Sequence, residues 1–242
     1  MSFKVRFVAE RRLSLKTITN RARRYLPVSF YSWLLTLRYL FFKRRCNNIA
    51  LPQLSYSDGS WVNRKTTADL KRITKFLEAE KAPFSIFQIG VGNSSLYENI
   101  REKTSRFAGI TIVEDELQLT KEKFSRDFGS TYDVRIMNKY SNEITEFDTG
   151  FDYIIDNDLS SYACCLHHFH IMLDCYRDLL SSEGAILIGI DGLRYFDSGF
   201  GLTLNNIKRI AKKHGLYFYP GSEFHMLKKH PITHKTQSSS DT

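Results

Sequence analysis

Residues 86–96 read IFQIGVGNSSL. An apolar run ends in two glycines one residue apart, and a serine pair leads into a segment of helical composition. Gly90 and Gly92 lack Cβ, so the chain can turn tightly and a ligand can approach the backbone. A helix starting just after them would present unpaired N–H groups. The G-x-G pair alone does not separate a cofactor loop from a bare strand-to-helix turn. The segments on either side of it carry that decision.

Upstream, residues 67–80 place Leu70, Ile73, Phe76 and Leu77 on one helical face, and Pro83 stops the helix. Downstream, strand-like and helix-like stretches alternate: strand 84–89, helix 94–104, strand 107–114, helix 115–127, strand 134–137, strand 151–156, helix 160–180 and strand 185–190. A helix over 202–214 precedes two strands, 216–219 and 224–227, joined through Pro220-Gly221. The pattern predicts an α/β fold: a doubly wound, mostly parallel seven-stranded sheet ending in an antiparallel hairpin. The expected domains are a basic, aromatic-rich helical extension and linker over 1–63, the α/β domain over 64–228, and a polar tail over 229–242.

Charge divides the chain the same way. The net charge is +9, yet residues 1–45 hold twelve Lys/Arg and one acid, leaving the remainder at −2. Within the extension, residues 26–42 (LPVSFYSWLLTLRYLFF) mix aromatics with flanking cations. The stretch is short for a membrane span and lacks a signal-peptide cleavage site. It suits a helix lying on an anionic membrane surface, with packing on the domain or a homo-oligomer contact as the other uses. Nucleic acid is not an expected partner, since a basic patch alone supplies only non-specific phosphate affinity. The four cysteines show neither C-x-x-C nor a disulfide framework, which points to a reducing, cytoplasmic setting, at the inner face of a membrane if the extension binds lipid.

The order of helix, strand, G-x-G-x-S loop, further α/β steps and terminal hairpin resembles the class I S-adenosylmethionine-dependent methyltransferases over residues 67–228. The most specific part is 87–96, similar to family loops reading G-x-G-N-S-x-L. The resemblance implies S-adenosylmethionine as cofactor, with Gly90, Gly92 and Asn93 lining its methionine and ribose part. Gln88 stands where the family usually has an acid, and its carbonyl remains an acceptor. Ser94 replaces a third glycine and suits a helix start. An acid after the second strand would accept the ribose hydroxyls: Glu114 in TIVEDE is the preferred residue, with Thr111 as the other register. That acidic run also suits a plain helix N-terminus. After the third strand the candidates near the adenine are Asn138, Lys139 and Tyr140, and Asn138 could bond the adenine edge.

FDYIIDNDLSSY is similar to the family's fourth motif, which places Asp156 and Asp158 at a strand end as base or acceptor anchor, with Asp156 also bordering the cofactor. Asp191, on the neighbouring strand end, suggests a divalent-metal pair, but Gly192 stands where such enzymes have an Asn ligand, and no metal is expected. Cys164, Cys165, His167, His168 and His170 are metal-ligating types. On one helix only Cys164, His167 and His168 would share a face, so four convergent ligands are not expected. His167 or His168 is a candidate general base. The acceptor implied is a small molecule, a glycan or a lipid-linked intermediate, methylated at O or N. Two rivals share the fold: an aminopropyltransferase-like enzyme, whose usual Gly-Gly-Gly-Asp-Gly loop is absent, and a non-catalytic binding module.

Overall fold

The structure, a computed structural model, describes residues 46, 65–194 and 202–231. The expected membrane-binding stretch, most of the linker and most of the tail lie outside the described residues. Among the described residues no helix is long and apolar enough to cross a membrane.

In chain order the elements are α1 (Ala68–Ala79), β1 (Phe84–Ile89), α2 (Ser95–Ile100), β2 (Thr104–Thr111), α3 (Glu114–Lys123), β3 (Tyr132–Ile136), β4 (Phe151–Ile155), α4 (Leu166–Leu179), β5 (Leu180–Gly189), α5 (Leu204–Lys213), β6 (Tyr217–Tyr219) and β7 (Phe224–Lys228). They form one seven-stranded sheet of order β3-β2-β1-β4-β5-β7-β6. Strands β1 to β5 pair in parallel, and β7 inserts antiparallel between β5 and β6. The chain winds outward from β1 to β3, then returns to start β4 beside β1. That reversal opens a crevice at the carboxyl ends of β1 and β4, where open α/β sheets take ligands.

Alternation along the strands feeds two cores. Ile86, Ile155 and Leu187 face one layer with Ile73 and Leu77 of α1, Leu96 of α2 and Leu117 of α3. Phe87, Ile154, Ile186 and Ile188 face the other, with Phe169, Met172 and Tyr176 of α4 and Ile207 and Ile210 of α5. Side chains of successive strand residues point to opposite faces, so the stretch 185–188 of β5 reads as a continuous apolar run because both faces are covered.

Several boundaries differ from the sequence expectation, among them these three. β2 ends at Thr111 and not at Glu114: Thr111 Oγ1 accepts the Val113 N–H at 3.1 Å, turning the chain, and Glu114, Asp115 and Glu116 open α3, where acids suit the positive end of the helix dipole. α2 ends at Ile100, and a tight turn over Arg101–Lys103 leads directly into β2. α4 begins at Leu166, six residues later than expected. Side chains from the loop after β3 claim the carbonyls that an earlier helix start would need. Lys139 Nζ donates to Asp158 O (2.8 Å) and Leu159 O (3.1 Å), and Tyr140 OH donates to Ser161 O (2.6 Å).

Candidate functional site

The loop leaving β1 folds over the end of β2. The Gly90 and Val91 N–H groups both donate to Ile110 O, at 2.9 and 3.3 Å. Gly90 (φ +69°) and Gly92 (φ +56°) occupy the left-handed region that favours glycine. Ser94 follows at φ +57° and is buried. A non-glycine residue there carries about 1–3 kcal/mol of strain. Hydrogen bonds offset it: Ser94 Oγ lies 2.7 Å from Thr120 Oγ1 and accepts from Tyr132 OH at 2.9 Å. Burial pushes the Tyr132 phenol up to about 12, which keeps it a donor. Ser94 therefore does not cap α2 with its side chain. Asn93 Oδ1 accepts the Ser95 N–H instead, at 3.2 Å.

The cleft above this loop is lined by Gln88, the 90–93 turn, Glu116, Asn138 and residues 156–158, and residues 65–67 close it from the side of α1. Gln88 is 2% exposed. Its Nε2 donates to Gly90 O at 3.3 Å. A carbonyl only accepts, so the amide nitrogen must face it and Oε1 is turned the other way. That Oε1 is buried with no hydrogen-bond partner. Unsatisfied buried acceptors are uncommon, and this one borders a ligand-sized cleft.

The acid near the end of the second strand that lines the cleft is Glu116. Glu114 is the exposed first residue of α3 and does not line the cleft. Glu116 is buried, accepting Thr111 Oγ1 at 2.5 Å and the Gly92 N–H at 3.2 Å, so it ties the glycine loop to β2. The signal for it was present in the sequence: with a helix starting at 114, Glu116, Leu117 and Thr120 share the inward face. Asn138 lines the cleft, and its Oδ1 is committed to the Tyr140 N–H at 3.0 Å.

The residues expected as bases stand in different surroundings. Asp156 is 1% exposed, and both of its oxygens are occupied. Lys139 Nζ donates to them at 3.1 and 3.0 Å, and Tyr176 OH donates to Oδ2 at 2.8 Å. Both oxygens are thus engaged by a buried ammonium and a phenol, inside the frame of the cleft. Nothing in the sequence marked Lys139 as its partner. His167 is exposed on α4 and does not line the cleft. Asp158 does line it, partly buried.

Asp191 is exposed, and its backbone N–H donates to Asp69 Oδ2 at 3.0 Å. It does not join Asp156 and Asp158 in a ligand cluster among the described residues. Gly192, where an Asn ligand would stand, is required by packing: a Cβ there would sit 1.6 Å from Asn157 O. His170 pairs with His214 (Nδ1 to Nε2, 2.6 Å), and His214 Nδ1 lies 2.8 Å from Asp174 Oδ1. Burial first, then the neighbouring His214, lowers the His170 pKa. Cys164, Cys165 and His168 converge, but away from His167 and His170.

No protein-family model matches the chain, and no curated protein matches it. Solved structures do. A S-adenosylmethionine-dependent methyltransferase from Clostridium acetobutylicum superposes with a TM-score of 0.55 at 10% identity, covering 72% of this chain and 96% of that one. A TehB-like SAM-dependent methyltransferase from Corynebacterium glutamicum gives 0.50 at 14% identity, covering 72% and 94%. A putative methyltransferase from Bacillus halodurans gives 0.50 at 9% identity, covering 64% and 71%. At such identities the likeness concerns the fold. The protein has an α/β architecture with a ligand cleft at the topological switch point. More narrowly, that architecture is the Rossmann-like fold of the class I S-adenosylmethionine-dependent methyltransferases.

Proposed function

We propose that the protein is a S-adenosylmethionine-dependent methyltransferase acting on a small-molecule, glycan or lipid-linked acceptor. The observation that carries this reading is Gln88 Oε1, a buried acceptor without a partner at the rim of the glycine loop. A cofactor α-ammonium is the donor that would satisfy it. Gly90, Gly92 and Asn93 would face the methionine and ribose part, Glu116 would accept the ribose hydroxyls in place of Glu114, and the Asn138 amide would meet the adenine edge. The bound cofactor supplies a methyl group activated on a sulfonium.

The chain's own residues would then position the acceptor. Asp156 is committed to Lys139, which leaves Asp158 as the carboxylate bordering the acceptor side. Orientation, and not deprotonation by a strong base, would supply most of the rate. A neutral amine suits such a site directly, and a hydroxyl would rely on Asp158. The +11 extension would hold the enzyme at an anionic surface where lipid-linked acceptors lie.

Calorimetry of the full chain with S-adenosylmethionine tests the reading. Binding is expected in the wild type, and Gln88→Leu should weaken it about tenfold or more, since an unmet ammonium donor costs about 1–3 kcal/mol. Absence of heat at millimolar cofactor would sink the proposal and favour the binding module.

A further inference from the structure

Outside the cleft, four ligand-type atoms meet at one point. The Sγ atoms of Cys46, Cys164 and Cys165 and Nδ1 of His168 all lie within 4.8 Å of one another. His168 Nδ1 is 3.2 Å from Cys46 Sγ, 3.1 Å from Cys164 Sγ and 3.3 Å from Cys165 Sγ. No disulfide joins these cysteines. An imidazole nitrogen either gives one proton or accepts at one lone pair, so Nδ1 cannot bond all three sulfurs at once. A shared cation can hold all four atoms.

We infer that Cys46, Cys164, Cys165 and His168 bind a zinc ion as a closed, structural Cys3His site. Soft thiolates with one imidazole are a zinc donor set, and four protein ligands leave no open position for catalysis. With Zn–S near 2.3 Å and Zn–N near 2.0–2.1 Å, tetrahedral edges come to about 3.8 Å between sulfurs and about 3.5 Å from nitrogen to sulfur. The observed contacts need to open by only a few tenths of an ångström to admit the metal.

The local chain explains the convergence. Because α4 starts at Leu166, Cys164 and Cys165 lie on extended backbone before it, and Cys165 serves as its N-cap, with Sγ accepting the His168 N–H at 3.4 Å. His168, one turn into α4, then faces both sulfurs. Cys46 arrives from 122 residues upstream of His168.

The site has a consequence for the cleft. Residues 157–165 run from the end of β4 to the zinc ligands, and Asn157, Asp158, Ser161 and Tyr162 of that run line the cleft. Zinc would tie the acceptor-side loop to the end of the basic extension. Metal content is read independently of cofactor binding, so the inference stands or falls separately from the methyltransferase reading.

The test is elemental analysis of the full chain purified under reducing conditions without added metal, followed by cobalt(II) substitution. About one zinc per chain is expected, with thiolate-to-cobalt charge-transfer bands and the visible bands of a tetrahedral site. Cys165→Ser and His168→Gln should lower zinc to background, while His167→Gln, next door but not among the four converging residues, keeps it. The wild-type cobalt spectrum decides the matter even if a ligand variant fails to fold. Sub-stoichiometric zinc with no charge-transfer bands would overturn the inference, as would a Cys46 disulfide to Cys164 or Cys165 in freshly purified protein.

Discussion

Lys139 Nζ sits 3.0–3.1 Å from both carboxylate oxygens of Asp156, and both side chains are buried. One ammonium therefore fixes the end of β4 and, through Asp158 O, Leu159 O and Ser161 Oγ, the loop that follows. The pair makes Asp156 part of the frame of the cleft.

Asp156→Asn should accordingly behave as a stability variant. It leaves a buried ammonium without its counter-charge, at a cost of about 3–5 kcal/mol. Lys139→Met combined with Asp156→Asn should recover much of that loss. Urea unfolding of the wild type and both variants measures it. If Asp156 acted as the base instead, Asp156→Asn would keep its midpoint and lose turnover.

Glu116 and Glu114 should separate cleanly. Glu116→Gln loosens the tie to Thr111 and the Gly92 N–H and is expected to weaken cofactor binding about tenfold, the value of one charge-assisted hydrogen bond. Glu114→Gln touches neither and should bind as wild type. Calorimetric titration of both variants checks this, and equal losses would restore Glu114 to the site.

Ser94 carries two opposed terms. Ser94→Ala keeps the left-handed strain and loses the contacts to Thr120 and Tyr132, so a loss of about 1–3 kcal/mol is expected. Ser94→Gly loses the same contacts but removes strain of about 1 kcal/mol or more. The glycine variant should melt above the alanine variant. The reverse order would show that the loop is not strained at this position.

Stability should fall in mild acid through His170. Its folded pKa lies below the ordinary 6.5, mainly from burial and next from His214, with Lys213 and His167 acting the same way and Asp174 opposing. A lowered folded pKa means the unfolded chain takes the proton first. The stabilisation is whole above about 6.5 and is lost as pH falls through the folded value. Melting temperatures from about pH 8 to about pH 5 should drop less steeply for His170→Gln.

The extension can be tested without disturbing the proposed zinc ligands. The full chain should float with vesicles rich in anionic lipid, and a chain truncated to begin at Cys46 should not. Equal flotation of both would remove the membrane from the functional reading.

Much of this protein is legible from its sequence. Period-2 and period-3.6 apolar spacing and the Gly90/Gly92 pair depend on near neighbours in the chain, and they point to a doubly wound sheet with its glycine loop at the switch point. The site was legible only where local phase decided it. Glu116, and not Glu114, lines the cleft because α3 begins where Thr111 turns the chain, and two residues along a helix change the face. Asp156 is paired with Lys139, seventeen residues away, and Cys46 meets His168 across 122. Such pairings are set by burial and by how the strands order themselves in the sheet. Residue spacing along the chain carries no record of them, so the tertiary structure alone decided which carboxylate is an anchor and which cysteines converge.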